Sequence, residues 1–169
     1  MDVETAIRTR RTYKAFGPEP LDREELEALL ELARWAPNHH LTAPWRFRVL
    51  GSESLAALKE AAGPDAAAKL DRAPTLVVVS ALLEGDPLQD EEDLHATAVA
   101  SYIVLLAAHA RGLAGYWRTP AVLRSEEGRR AVGLGDGERF VALLHLGSPR
   151  QEKAPPARPP VDQVTEFLP

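Results

Sequence analysis

The 169-residue sequence contains no cysteine, which excludes disulfide staples, thiolate metal sites and cysteine nucleophiles. Cationic charge is also short. Twenty Lys and Arg stand against 25 Asp and Glu, a net charge of −5, and a general nucleic-acid binder needs a basic face to release counterions. The longest uncharged stretch, His95 to His109, covers about 15 positions where a membrane span needs about 20, so it reads as a buried helix. Met1-Asp2-Val3-Glu4 lacks the basic and apolar regions of a secretory signal, and a cytoplasmic location is expected. No GxxxxGK[ST], GxSxG or HExxH occurs, which leaves P-loop, serine-hydrolase and zincin readings without a foothold.

What is present suffices for one packed domain, since 45% of the residues are hydrophobic and the length is that of a single folding unit. Val3, Ala6 and Ile7 predict a short amphipathic helix that runs into the cations Arg8, Arg10, Arg11 and Lys14. Asp22 and Glu25 form a capping box for a second helix, with Leu21 and Leu26 as a staple and Leu26, Leu29, Leu30 and Ala33 as the inner stripe. Pro37 should stop that helix near Trp35. Alternation of Trp45, Phe47 and Val49 with Arg46 and Arg48 predicts a strand with one wet face.

Helix is expected again from Glu53 to Ala62 and, at length, from about Asp90 to Arg111, where acids open the element and Gly112 closes it. Thr75–Ser80 and Phe140–Leu146 are apolar, β-prone runs expected to be buried on both faces. Ser125 should cap one more short helix. Six of the 14 prolines fall between Pro149 and Pro169, so the tail is expected either to be disordered or to lie extended along another surface. Strands separated by helices without strict alternation favour an α+β class.

Candidate chemistry is sparse. Arg10, Arg11, Thr12 and Lys14 suit a phosphate with a second anionic group nearby, although a solvated basic helix end would have the same composition. His39 and His40 are adjacent, so their side chains are expected to diverge, and no carboxylate has ligand spacing; no metal is predicted. His95 and His109, about 21 Å apart on one helix, cannot share an ion. His145 reads as a satisfied core residue, and the acids from Asp86 to Asp93 as ordinary helix-start charge. Tyr116, Trp117, Arg118 and Thr119 would suit either core packing or a planar ligand with a polar edge.

Three segments, in order, resemble the nitroreductase family of flavin enzymes: Ile7-Arg8-Thr9-Arg10-Arg11-Thr12-Tyr13-Lys14-Ala15-Phe16, Ala36-Pro37-Asn38 through Pro44-Trp45-Arg46-Phe47, and Gly112-Leu113-Ala114-Gly115-Tyr116-Trp117-Arg118. Leu146-Gly147-Ser148-Pro149 closes the series, and histidine in the second loop with Trp-Arg-Thr after the long helix is most similar to the compact members. The resemblance implies a single nitroreductase-like domain over residues 1–169, with an extended C-terminal arm from about 150. The implied fold is α+β, with a central mixed or antiparallel sheet flanked by helices, and FMN sits at the interface of an intertwined homodimer.

The same resemblance assigns Arg10, Arg11 and Thr12 to the FMN phosphate and ribityl chain, and Lys14 to the pyrimidine edge. Pro37, Asn38 and His39 would be laid over the cofactor by the partner subunit, and Trp117, Arg118 and Thr119 would pass the flavin edge. Lys153 or Arg158, less readily Arg150, would supply a second phosphate cation. No protein acid or base is implied, because the flavin carries hydride; Lys14 and Arg118 would tune it electrostatically.

The implied reaction is ping-pong transfer from NADH or NADPH to a small nitroaromatic or quinone acceptor, with neither nucleic acid nor membrane as partner. Leu41 and Ala43 stand where larger relatives carry polar residues, and the long lid insertion is missing, so a more open site is expected. A dehalogenating or flavin-fragmenting enzyme on the same fold, or a flavin-binding module without turnover, would share these residues.

Overall fold

The computed structural model describes residues 1–151 and 154–169. A four-stranded antiparallel sheet in the order β1-β2-β4-β3 divides the molecule, with β1 Trp45–Val49, β2 Thr75–Leu82, β3 Ala114–Arg118 and β4 Glu138–Gly147. The central pair, β2 and β4, is buried on both faces over most of its length, as the apolar runs Leu76–Val79 and Ala142–Leu144 require, and only Glu138 and Arg139 open β4 with charge. Thr75 lies opposite Leu146 and Leu82 opposite Glu138, with a bulge at Val79/Ser80.

On one face, Val77, Val79, Ala142 and Leu144 pack against α2 (Arg23–Ala33) and α5 (Pro87–Ala110). On the other, Leu76, Val78 and Leu143 pack against Leu58 of α3 (Ser52–Ala62) and Leu123 of the turn Ala121–Arg124, which adjoins α6 (Glu126–Ala131). A short α4, Pro64–Ala67, follows α3.

Local chemistry explains where these helices begin and end. Asp22 accepts the Glu25 N–H at 2.7 Å and caps α2, while the Thr75 hydroxyl accepts from Leu21 N–H and ties that start to β2. Asp86 accepts from the Leu88 and Gln89 amides at the head of α5, where Pro87 occupies the first turn. Gly112, at φ 80°, ends it in the left-handed region that costs glycine nothing. Ser125 caps α6 through the Gly128 amide.

Two expectations are corrected here. The wet face of β1 fails at its far end: Arg48 turns inward to pair with Glu138, while Val49 is 49% exposed. In α1 (Val3–Thr9) only Ala6 of the apolar triplet is buried, and Val3 and Ile7 stay exposed. The C-terminal residues 154–169 are exposed and lie outside helix and strand except for one short turn at Val161–Gln163.

Candidate functional site

The cationic segment leaves α1 at Arg10 and is pinned to the sheet. Thr12 bridges Gly115 in a parallel sense, and Tyr13 N–H donates to Gly115 O at 3.1 Å. A Cβ at Gly115 would come within 2.7 Å of Leu105 Cδ2, so a larger residue there would have to displace that side chain on α5. The Arg10 guanidinium lies 5.5 Å from the centroid of the Tyr102 ring on α5, and Arg11 lies 5.0 Å from that of Tyr13. His109 meets the Thr9 hydroxyl at 2.8 Å. Its burial, then the charges of Arg10 and Arg11, push its pKa below the usual imidazole value.

Among the described residues the side chains of Arg10, Arg11 and Lys14 make no hydrogen bond or ion pair, and the Nε atoms of both arginines are buried without an acceptor. Such guanidiniums retain capacity for an anion, which fits a phosphate group, and their buried Nε atoms depart from the fully solvated basic helix end that composition alone allowed. Arg158 and Pro156 of the tail come alongside Arg10, Ile7 and Tyr102 around a cavity of about 310 Å³. Lys153 lies outside the described residues.

The second loop is built differently. The Asn38 Oδ1 accepts Ala43 N–H at 2.9 Å, which closes residues 38–43 on themselves. His40, Leu41 and Ala43 all have positive φ, a conformation that costs a non-glycine residue roughly 1–2 kcal/mol. That geometry overturns the expected divergence of the two histidines, whose rings stack with centroids 3.8 Å apart. His39 bonds Glu92 at 2.7 Å and Thr42 bonds the buried Asp93 at 2.6 Å, so the acids at the head of α5 anchor this loop. Pro37 and His39 are exposed and Asn38 is half-buried. No cluster of three metal-ligating groups exists among the described residues.

Within one chain the loop and the cationic segment stay apart. The loop grips α5 at Glu92 and Asp93 and Arg10 grips it at Tyr102, ten residues or about 15 Å along the axis. On β3, alternation separates the remaining candidates: Trp117 packs with the α5 layer, and Tyr116 belongs to the opposite one. Arg118 lies over Tyr116 at 6.0 Å and donates to Lys69 O at 3.0 Å; Thr119, just past the strand, is exposed.

Sequence reasoning missed Tyr102, because an aromatic in an apolar helix carries no signal of a cation above it. It also misjudged His145. That residue is buried between Tyr116 and Phe16, ring centroids 5.6 and 6.5 Å away, but neither ring nitrogen has a partner among the described residues. Burial, then the charges of Arg118 and Arg72, lower its pKa to about 3, so it is neutral.

Comparison with known proteins agrees with this architecture. Residues 7–69 match the model of the nitroreductase family. The candidate NAD(P)H nitroreductase YfhC of Bacillus subtilis is 30% identical over 95% of this chain and 92% of its own length. YdjA of Escherichia coli K12, also named as a candidate NAD(P)H nitroreductase, is 32% identical over 88% of each chain. Among solved structures, a nitroreductase-like family protein from Bacillus cereus superposes with a TM-score of 0.89 at 24% identity, covering 99% of this chain and 96% of the other. A candidate nitroreductase from Desulfovibrio desulfuricans, solved in complex with FMN, gives 0.82 at 25% identity over 100% and 98%. Near-full coverage in both directions, with the cationic segment inside the matched residues, leaves one assignment: the chain belongs to the nitroreductase family.

Proposed function

We propose that this protein is an FMN-dependent NAD(P)H oxidoreductase that acts on small nitroaromatic or quinone-type acceptors. The observation that carries the reading is the pair Arg10 and Arg11, each with a buried Nε that has no partner among the described residues, on a segment fastened to β3 through Thr12. Bound there, FMN would supply hydride chemistry, accepting from NADH or NADPH and passing to the acceptor in ping-pong order.

The chain's own residues then need only bind and orient. Arg10 and Arg11 would hold the phosphate with Thr12 on the ribityl side, and Arg158 from the tail would add a second cation; Lys153 and Arg150 are the other candidates for that contact. Lys14 would face the pyrimidine edge and stabilise negative charge there, with Arg118 as the second tuning cation. Trp117 and Thr119 would border the flavin edge from β3.

The loop Pro37, Asn38 and His39 cannot reach Arg10 in its own chain without leaving its anchor on Glu92 and Asp93. A homodimer in which each subunit lays this loop over the other's cationic segment resolves that separation. The exposed stripe of Val99 and Tyr102 on α5, next to exposed Ile7, supports an interface at that place.

The test is an absorbance spectrum of the protein reconstituted with FMN and titrated anaerobically with NADH and then NADPH. Retained flavin whose visible band bleaches with about one equivalent of donor, and recovers on adding a nitroaromatic or quinone, is the expected result. Retained flavin that neither donor bleaches would leave a binding module, and no retained flavin would end the reading.

A further inference from the structure

Beside the cationic segment lies a second cavity, of about 460 Å³, lined by Lys14, Phe16, Asp71, Arg72, Pro74 and Arg150. Its volume is that of a small-molecule site. Asp71 is its only acid and is already paired with Lys59, so three cations face the cavity against no free carboxylate among the residues lining it. The side chains of Lys14, Arg72 and Arg150 make no hydrogen bond or ion pair among the described residues.

The walls are held in place by backbone contacts. Phe16 bridges Pro149, Gly17 N–H donates to Ser148 O at 2.8 Å, and Arg150 N–H donates to Ala15 O at 3.3 Å. These contacts fix where Lys14 and Arg150 are mounted, while the exposed side chains themselves must be ordered by the ligand, which keeps the gain per cation small. Only Lys14 borders both this cavity and the segment assigned above to FMN.

We propose that Arg72 and Arg150, with Lys14 at the border, form an oxyanion site that selects reactants bearing a carboxylate or phosphate group. The proposal rests on the function proposed above for its connection to turnover, but the binding it describes does not require turnover. A guanidinium matches the planar oxygens of such a group, and among the described residues no carboxylate pairs with Arg72 or Arg150. The group could belong to the electron acceptor or to the 2′-phosphate of the donor.

The experiment uses FMN-loaded protein, wild type, the single variant Arg72→Gln and the double variant Arg72→Gln/Arg150→Gln; Arg72 is outside the FMN-binding set, and because Arg150 is a candidate for the phosphate contact the FMN affinity of the double variant is measured first. Affinity for 4-nitrobenzoate and for its neutral counterpart 4-nitrobenzamide is measured by calorimetry without donor, and KM is then measured for NADPH and NADH. Each exposed charge contact contributes about threefold, so the double variant should weaken one anionic ligand about tenfold and its neutral or less charged counterpart less than twofold. Loss confined to 4-nitrobenzoate identifies the acceptor as the source of the anion; loss confined to NADPH identifies the donor.

Equal affinities in variant and wild type for both pairs would overturn the proposal. So would a matching loss of FMN affinity, which would make the cavity part of the cofactor's own site. If no donor reduces the flavin, the redox function fails, and calorimetry with the two nitro compounds still decides the oxyanion site.

Discussion

The Arg10 guanidinium stands over the Tyr102 ring of α5, 5.5 Å from its centroid, and this contact joins the end of α1 to the middle of the longest helix. Tyr102 therefore orients the arginine without neutralising it. Arg10→Met should keep the packing and remove a charge-assisted bond to phosphate of about 1.5–3 kcal/mol, weakening FMN roughly 10- to 100-fold. Tyr102→Leu removes only the cation–π support, about 0.5–1 kcal/mol, and should weaken FMN two- to fivefold. Fluorescence titration of flavin checks both, with thermal unfolding as the control for folding. FMN binding unchanged in Arg10→Met would take the phosphate role from Arg10.

His145 makes acid stability a measurement of the core. Its native pKa of about 3 lies below the unfolded value of about 6.5, so the unfolded chain binds a proton that the native chain refuses. The neutral ring's contribution is complete above about pH 6.5 and declines as pH falls from there toward 3. At pH 5 the loss is about 2 kcal/mol relative to pH 7.5, a figure set by the unfolded value because pH 5 is still far above the native one. His145→Leu removes two nitrogens that have no partner among the described residues from a fully buried position and should flatten the stability profile between pH 7.5 and 5. Urea unfolding at several pH values checks this; an unaltered slope would show that another group carries it.

Glu138 behaves in the opposite sense at lower pH. Burial alone would raise its pKa, but hydrogen bonds from Arg48, Ser80 and the Gly135 amide, with the Arg48 charge, outweigh burial and hold it below the usual value. Its contribution is present above about pH 4.5 and is lost as pH falls through the native pKa. Glu138→Gln leaves the half-buried Arg48 facing a neutral amide and should cost about 3 kcal/mol at pH 7, or roughly 6–12 °C in Tm. Unfolding that matches wild type at pH 7 would mean that Arg48 finds water instead.

The sequence was most legible where a local rule acts alone. Asp22, Ser125 and Gly112 each mark a helix end through a cap that needs no tertiary partner, and the apolar runs of β2 and β4 read as strands buried on both faces; α5 instead starts at Pro87 behind Asp86, three residues ahead of the expected Asp90. Long-range pairing was not legible: nothing near Arg48 announces Glu138, ninety positions away, nor does His39 announce Glu92. In the candidate site, residue types pointed to Arg10, Arg11 and Thr12, but the stacked histidines depended on a left-handed backbone at His40, and the cavity of Lys14, Arg72 and Arg150 on three segments distant in sequence.

Lys14 is exposed and makes no bond within the chain among the described residues, so it is free to act on whatever lies before it. If it faces the pyrimidine edge of FMN, Lys14→Ala should lower the two-electron potential of the bound flavin by about 10–30 mV, the effect of one solvent-screened charge. Anaerobic dye equilibration measures it. A variant that binds flavin at unchanged potential would leave the tuning to Arg118.

The separation between loop and cationic segment yields the strongest test of assembly. Val99 is 40% exposed and Tyr102 37%, and both lie on the outer side of α5, away from the buried Ala100 and Val104. A charge at such a position alters a lone subunit by no more than about 0.5 kcal/mol, so Val99→Glu should leave the monomer folded. Buried in an interface between two copies of α5, the same carboxylate would be desolvated without a partner, which costs several kcal/mol and dissociates the dimer. Each monomer would then keep Arg10, Arg11 and Thr12 but lose the other subunit's Pro37, Asn38 and His39. Sedimentation velocity should show a shift from dimer to monomer, and FMN titration of the same samples should show affinity at least tenfold weaker. A folded monomer that retains full FMN affinity would mean that one chain completes the site alone, and the exposed stripe would then need a different occupant.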